Sequence, residues 1–194
     1  TRVALTELWN GTNWTEVNDL NTARQQFASA GTATAALAFG GEGPPGKFAN
    51  TELWNGTNWT EQNDLPTALS DMSGCGTTSN ALSYGGTPPN TADTNEWIVG
   101  APIGVWATGN VMNLGRRVLA GAGIQTAALA FGGDDDSGPT IVGNTESYNG
   151  TNWTEVNDLT TARSKLAGAG TQTAALAFGG EPSKSETETW NGTN

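Results

Sequence analysis

Small and large apolar residues alternate in short runs along this chain. In AALAF (Ala174 to Phe178) an extended backbone would set Leu176 and Phe178 on one face and Ala175 and Ala177 on the other. Just upstream, LAGAG (Leu166 to Gly170) holds only small side chains after its first residue, as an innermost strand crowded near an axis would. An Ala-rich helix is the rival for AGTQTAALAFGG. Glycines punctuate that stretch, however, and no acidic first turn precedes it, so strands are predicted.

A second pattern is aromatic. WNGTNW occupies Trp9 to Trp14 and Trp54 to Trp59, returns as YNGTNW at Tyr148 to Trp153, and recurs shortened as WNGTN at Trp190 to Asn194. Asn-Gly between strand-like flanks is a strong hairpin signal. A two-residue loop at Asn10-Gly11 would pair Trp9 with Thr12; a four-residue loop, NGTN, would set Trp9 opposite Trp14. Either register places two large aromatics on one face, a surface that needs cover. Trp14, Trp59 and Trp153 are therefore expected to be buried.

These patterns repeat in a fixed order. Gly-Gly doublets follow Phe39, Tyr84, Phe131 and Phe178 at spacings of 45, 47 and 47 residues, a period in the range of propeller blades. Four short strands fit one unit, the last two being the tryptophan hairpin. The reading divides the chain into strands three and four of a partial blade at 1–20, blades at 21–65, 66–114 and 115–159, and three strands of a partial blade at 160–194. A ring of such sheets covers each aromatic face with the next blade. The expected fold is an all-β propeller of four-stranded antiparallel blades, about four in this chain. Both TELWNGTN at Thr6 and TETWNGTN at Thr187 are third strands, one too many for a self-contained ring. A segment of a larger ring is expected, ahead of a ring closed between chains.

The Gly-Gly after an apolar strand, the aromatic (Trp9, Trp54, Tyr148), the tryptophan (Trp14, Trp59, Trp153) and D-L-x-T-A-R together resemble a kelch repeat, over essentially all 194 residues. The interval from aromatic to tryptophan is shorter than that family usually has. The wording TELWNGTNWTEVNDLNTAR…TAALAFGG is also similar to repeat segments from marine bacteriophage genomes, a resemblance that implies a tail fibre or other virion appendage.

Composition narrows the chemistry. Nineteen acidic against 8 basic residues give a formal charge of -11, which opposes phosphate neutralisation and so nucleic-acid binding. No apolar run approaches the roughly 18 residues of a membrane span, so no membrane insertion is expected. The chain has no histidine, which removes Ser-His-Asp triads, imidazole-bound metals and the copper site that the kelch resemblance would otherwise suggest. A carboxylate pair could still hydrolyse glycosides, but the S-x-D-x-G-x-x-W box of sialidase propellers is missing, and no catalytic residue is predicted. The single cysteine, Cys75, takes the place of Ala30, Ala122 and Ala169 and reads as a small buried residue.

Strand alternation sends the connections to opposite ends of the blades. The hexamer turns share one end. Loops of unequal length share the other: EGPPGKFAN (Glu42 to Asn50), TPPNTAD (Thr87 to Asp93), DDDSGPTIVGN (Asp134 to Asn144) and EPSKSE (Glu181 to Glu186). Variable loops on a repeating scaffold are where recognition normally sits, and Lys47, Lys184, Asp134, Asp135 and Asp136 are its candidate residues. Asp134 and Asp136 could share a calcium ion, although only half of a calcium-loop spacing is present and a solvated acidic tip fits better. A second candidate is the divergent hairpin Trp97 to Trp106, whose Ile98, Val99 and Ile103 would form an apolar docking tip. Arg24, Arg116 and Arg163, and the recurrent Glu7, Glu52, Glu96, Glu146 and Glu188, read as scaffold. The expected function is noncatalytic: a virion or extracellular module, able to form oligomers, that meets a host-surface protein or glycan or a neighbouring virion subunit. A secreted carbohydrate-binding or carbohydrate-active propeller is the alternative.

Overall fold

A computed structural model describes residues 3–100, 104–135, 140–182 and 185–193. All regular structure among them is β-strand. The first blade is built from Ala28–Thr32, Ala35–Phe39, Thr51–Trp54 and Trp59–Glu61. The second uses Ser73–Gly76, Asn80–Tyr84, Thr94–Val99 and Gly104–Thr108. The third uses Ala120–Ile124, Ala127–Phe131, Thr145–Tyr148 and Trp153–Val156. A fourth has Ala167–Thr171, Ala174–Phe178 and Thr187–Trp190. Within each blade the strands pair antiparallel in chain order, and the hairpin Thr6–Trp9 with Trp14–Val17 forms a sheet of its own ahead of them. The whole is a β-propeller arrangement.

The innermost strands pack in succession around a shared concavity lined by Ala30, Cys75, Ala122 and Ala169. No comparable packing joins Ala167–Thr171 back to Ala28–Thr32 among the described residues, so the arc does not close. Close approach depends on glycine. A Cβ at Gly74 or Gly168 would lie 2.6 Å from the ring of Phe39 or Phe131 in the blade before, and one at Gly121 would overlap the Tyr84 hydroxyl. The aromatic that ends each second strand thus presses on the next blade's inner backbone.

The core consists of layers between blades rather than one centre. Leu37 and Phe39 meet Met72, Ala81, Trp97 and Trp106; Leu82 and Tyr84 meet Leu119, Tyr148 and Trp153; Leu129 and Phe131 meet Leu166 and Ala175. Burying these side chains is the main source of stability, at about 1.5–3 kcal/mol for each large one.

The hexamer takes the four-residue loop. Trp9 lies opposite Trp14, Trp54 opposite Trp59 and Tyr148 opposite Trp153. Asn10 explains the choice: its Oδ1 accepts the N–H groups of Thr12 and Asn13, both at 2.9 Å, while Gly11 takes a φ of 97°. Asn55 and Asn149 do the same, so the asparagine side chain replaces the missing ladder bonds.

Candidate recognition face

Three pairs of the recurring charges face inward, whereas Glu7 is exposed. Arg24 reaches Glu52 at 2.5 Å, Arg116 reaches Glu146 at 3.1 Å, and Arg163 reaches Glu188 at 2.8 Å. The side chains of the first two pairs are wholly buried. Burial lowers the pKa of Arg24 and of Arg116, while the partner carboxylate of each pushes the other way. Further guanidinium hydrogens go to main-chain carbonyls, such as Gly40 and Asn50 from Arg24, while the Nε of Arg24, Arg116 and Arg163 is buried without a partner among the described residues. Each glutamate also accepts main-chain N–H groups from the link that carries the arginine: Asn21 and Thr22 on Glu52, Asn113 and Leu114 on Glu146, Thr160 and Thr161 on Glu188. This unit clamps the connection between blades.

Blade two departs from that scheme. Leu69 stands where the others have arginine, and Pro66, which has no N–H, stands at the position of Asn21, Asn113 and Thr160. Glu96 therefore has neither the arginine nor the first of the two main-chain donors. It is instead only half-buried, and accepts a hydrogen bond from the hydroxyl of Tyr148 in the third blade. Tyr148 is the one hexamer opener among Trp9, Trp54 and Trp190 that carries a hydroxyl. Burial, and then the carboxylate of Glu96, push its phenol pKa up. Leu69 and Tyr148 both depart from the repeat, on neighbouring blades, and that joint departure is the sequence signal for the contact.

At the end that carries the unequal loops, each loop begins with a single bridge to the link of its own blade: Gln25 to Glu42, Ser70 to Thr87, Arg117 to Asp134 and Ser164 to Glu181. The next link residue, Gln26, Asp71, Val118 or Lys165, has a φ between 47° and 58°. That left-handed turn aims its amide at the blade before. Asp71 N donates to Gln26 O at 3.0 Å, Val118 N to Asp71 O at 2.8 Å, and Lys165 N to Val118 O at 2.8 Å. Together they frame a cavity of about 400 Å³ walled by Gln26, Asp71, Arg117, Asp134, Lys165 and Glu181. Opposite charges alternate in its wall, with Arg117 on Asp134 at 3.1 Å and Lys165 on Glu181 at 3.1 Å. Most of these residues carry no repeat signature, and spacing alone did not single them out.

The candidate residues distribute as follows. Asp134 lies in the cavity wall, where the guanidinium of Arg117 offsets part of the repulsion within the acidic run. Asp135 pairs with Thr140 as the second residue of a two-residue ladder. Lys47 donates to Ser70 of the next blade's link and lies 3.7 Å from Glu42, while Asn90 donates to the Asp134 carbonyl at 2.9 Å, so neighbouring loops are stitched together. Asp136 and Lys184 lie outside the described residues, as does Ile103. The structure does not bring Ile98 and Val99 to this face. They extend the second blade's hairpin at the opposite end, where Ile98 faces Val105 and all three are exposed.

The tryptophans are seated between blades as expected, with one correction. Trp106 rests between Trp97 and Phe39, its Nε1 donating to Thr51 at 2.9 Å; Trp153 rests between Tyr148 and Tyr84, donating to Thr94 at 2.8 Å. Trp59 has Trp54 and the hydroxyl of Thr6 but no second-strand aromatic, and is half-buried. Trp14, expected to be buried, is 65% exposed: its ring stacks on Trp9, and among the described residues no blade lies on the far side of its hairpin.

In comparisons with known proteins, the sequence matches no family model and no curated protein.

Proposed function

We propose that this chain is a noncatalytic recognition or scaffolding module of an extracellular particle, most simply a phage tail-fibre or other virion appendage protein that meets a host surface or a neighbouring virion subunit. The observation that carries this reading is the contrast between the two uses of charge. Three recurring arginine–glutamate pairs are spent inside the blades, whereas Arg117 and Lys165, whose places hold other residues in the other blades, pair with Asp134 and Glu181 in the wall of an open cavity beneath loops of unequal length. Repetition marks scaffold and its absence marks a partner-specific surface. The kelch-like order of Gly-Gly, aromatic, tryptophan and D-L-x-T-A-R, and the phage-like wording of the repeat, supply the biological setting.

A carbohydrate-binding role on a secreted protein is favoured by the same cavity, since paired Arg–Asp and Lys–Glu groups can trade hydrogen bonds with sugar hydroxyls. The two readings share one test. Fluorescently labelled protein is applied to a glycan array and to whole bacterial cells, beside an Arg117→Ala/Asp134→Ala variant. Binding to cells or isolated surface proteins that the variant lacks supports the appendage reading; selective binding to soluble glycans alone supports the second. If wild type and variant bind every surface equally, the cavity has no recognition role.

A further inference from the structure

The turns at the hexamer end of the blades carry none of the chain's 8 basic and 19 acidic residues. From that neutral end one hairpin projects. The ladder of the second blade runs two pairs beyond Trp97 and Trp106, to Val99 with Gly104, whereas each hexamer ladder stops at its aromatic pair. Two further pairs add about 7 Å at the usual rise of a strand, so this tip stands beyond the neighbouring turns. It is also held in place: the amide of Val99 donates to the Ser79 carbonyl at 3.4 Å and Trp97 Nε1 to that of Thr78 at 2.9 Å. Ile98 and Val105 lie opposite one another on it, and both are exposed, as is Val99. Exposed Ile124 of the third blade stands where the other blades have Thr32, Thr77 and Thr171. Its neighbour Gln125 donates to the Trp97 carbonyl at 2.9 Å, which sets Ile124 beside the base of the tip. Aliphatic side chains exposed singly are ordinary; four at one end, on adjoining blades, make a surface.

We propose that this end is the contact surface of a homodimer, in which two copies of the chain meet about a two-fold axis, tip beside tip, and each covers Ile98, Val99, Val105 and Ile124 of the other. Charge decides the occupant. At a formal net charge of -11, copies that approach by the outer strands bring together the exposed Glu16, Glu61 and Glu155, and copies that approach by the loop end bring together Asp19, Asp64 and Asp158. At the hexamer end no like charges meet. A basic or acidic partner finds no complement there, whereas an isologous contact sets the neutral apolar surface against its own match. The two loop ends, with the cavity walled by Arg117, Asp134, Lys165 and Glu181, then face away from each other and stay open.

The competing route to self-association runs through the sides of the arc, where Trp14 and Phe178 are exposed. It carries a different signature, since Trp14→Ala would weaken it and changes at the tip would not. Salt separates the proposed contact from one built on ion pairs. With no charge in the facing turns, added salt only screens the residual repulsion between two acidic copies, and the dimer should tighten.

The test is sedimentation of the whole chain from micromolar to millimolar concentration. A reversible doubling of mass is expected. The double variant Ile98→Thr/Val105→Thr keeps β-branched side chains at both places, so it should leave the circular dichroism unchanged and weaken dimerisation about ten-fold or more. Ile98→Glu, which sets like charges beside the two-fold axis, should leave the protein folded and monomeric throughout. A chain that stays monomeric at millimolar concentration overturns the proposal. So does a dimer that the double variant leaves intact, one that only Trp14→Ala disrupts, or one that loosens as salt is added.

Discussion

Trp153 and Trp14 share the local sequence Trp-Thr-Glu-Val, yet one is 6% and the other 65% exposed. The difference comes from what stands opposite each ring. Truncating Trp153 to alanine should empty a seat bounded by Tyr148, Tyr84 and Thr94, and cost about 3–5 kcal/mol in urea unfolding. Trp14→Ala should stay within about 0.5 kcal/mol, as for an exposed site. Equal losses would mean that the rings are not held by the preceding blade. Cys75 extends the residue scale to pH. Burial pushes its thiol pKa from 9.0 up to about 12. In the unfolded chain the thiol ionises first, so its share of stability is complete below pH 9 and declines as pH rises toward 12. Tyr84, also raised by burial, acts in the same direction. Urea midpoints should therefore fall above pH 9, and fall less steeply in Cys75→Ala.

Within a blade, the parts that could be read from sequence are those whose physics is local. The alternation in AALAF and the Asn-Gly hairpins depend on near neighbours, and both elements form where they were expected. The loop register was not legible, because it turns on where the Asn10 carboxamide points. Nor was the axial cavity, since Gln26, Asp71, Val118 and Lys165 share no side-chain chemistry and their left-handed backbone is imposed by amide pairing with the blade before. The inner strands show how tertiary contact selects composition. Ser29 occupies the place of Gly74, Gly121 and Gly168, and it is exposed because no blade presses on that side. Gly121→Ala would drive a methyl group into Tyr84 and should cost about 1–3 kcal/mol by overpacking. The cost should shrink in a Tyr84→Phe background, and Ser29→Ala should be nearly neutral. A Gly121→Ala protein as stable as wild type would show that blade spacing is not set at these glycines.

Across the whole molecule, apolar layers between neighbours make stability a sum of blade and interface contributions rather than one all-or-none core. Interior blades have two interfaces and edge elements one, and burial follows. Leu82, Tyr84 and Leu129 are at most 1% exposed, whereas the equivalent Leu176 and Phe178 of the fourth blade are 41% and 39% exposed. Local opening should therefore need least free energy at the two sides of the arc. Native-state hydrogen exchange at neutral pH should find the slowest amides in Asn80–Tyr84 and Ala127–Phe131 and the fastest strand amides in Thr6–Trp9 and Thr187–Trp190. Uniform exchange rates through all the strands would instead require the molecule to unfold as a single unit, against the layered burial that separates its blades.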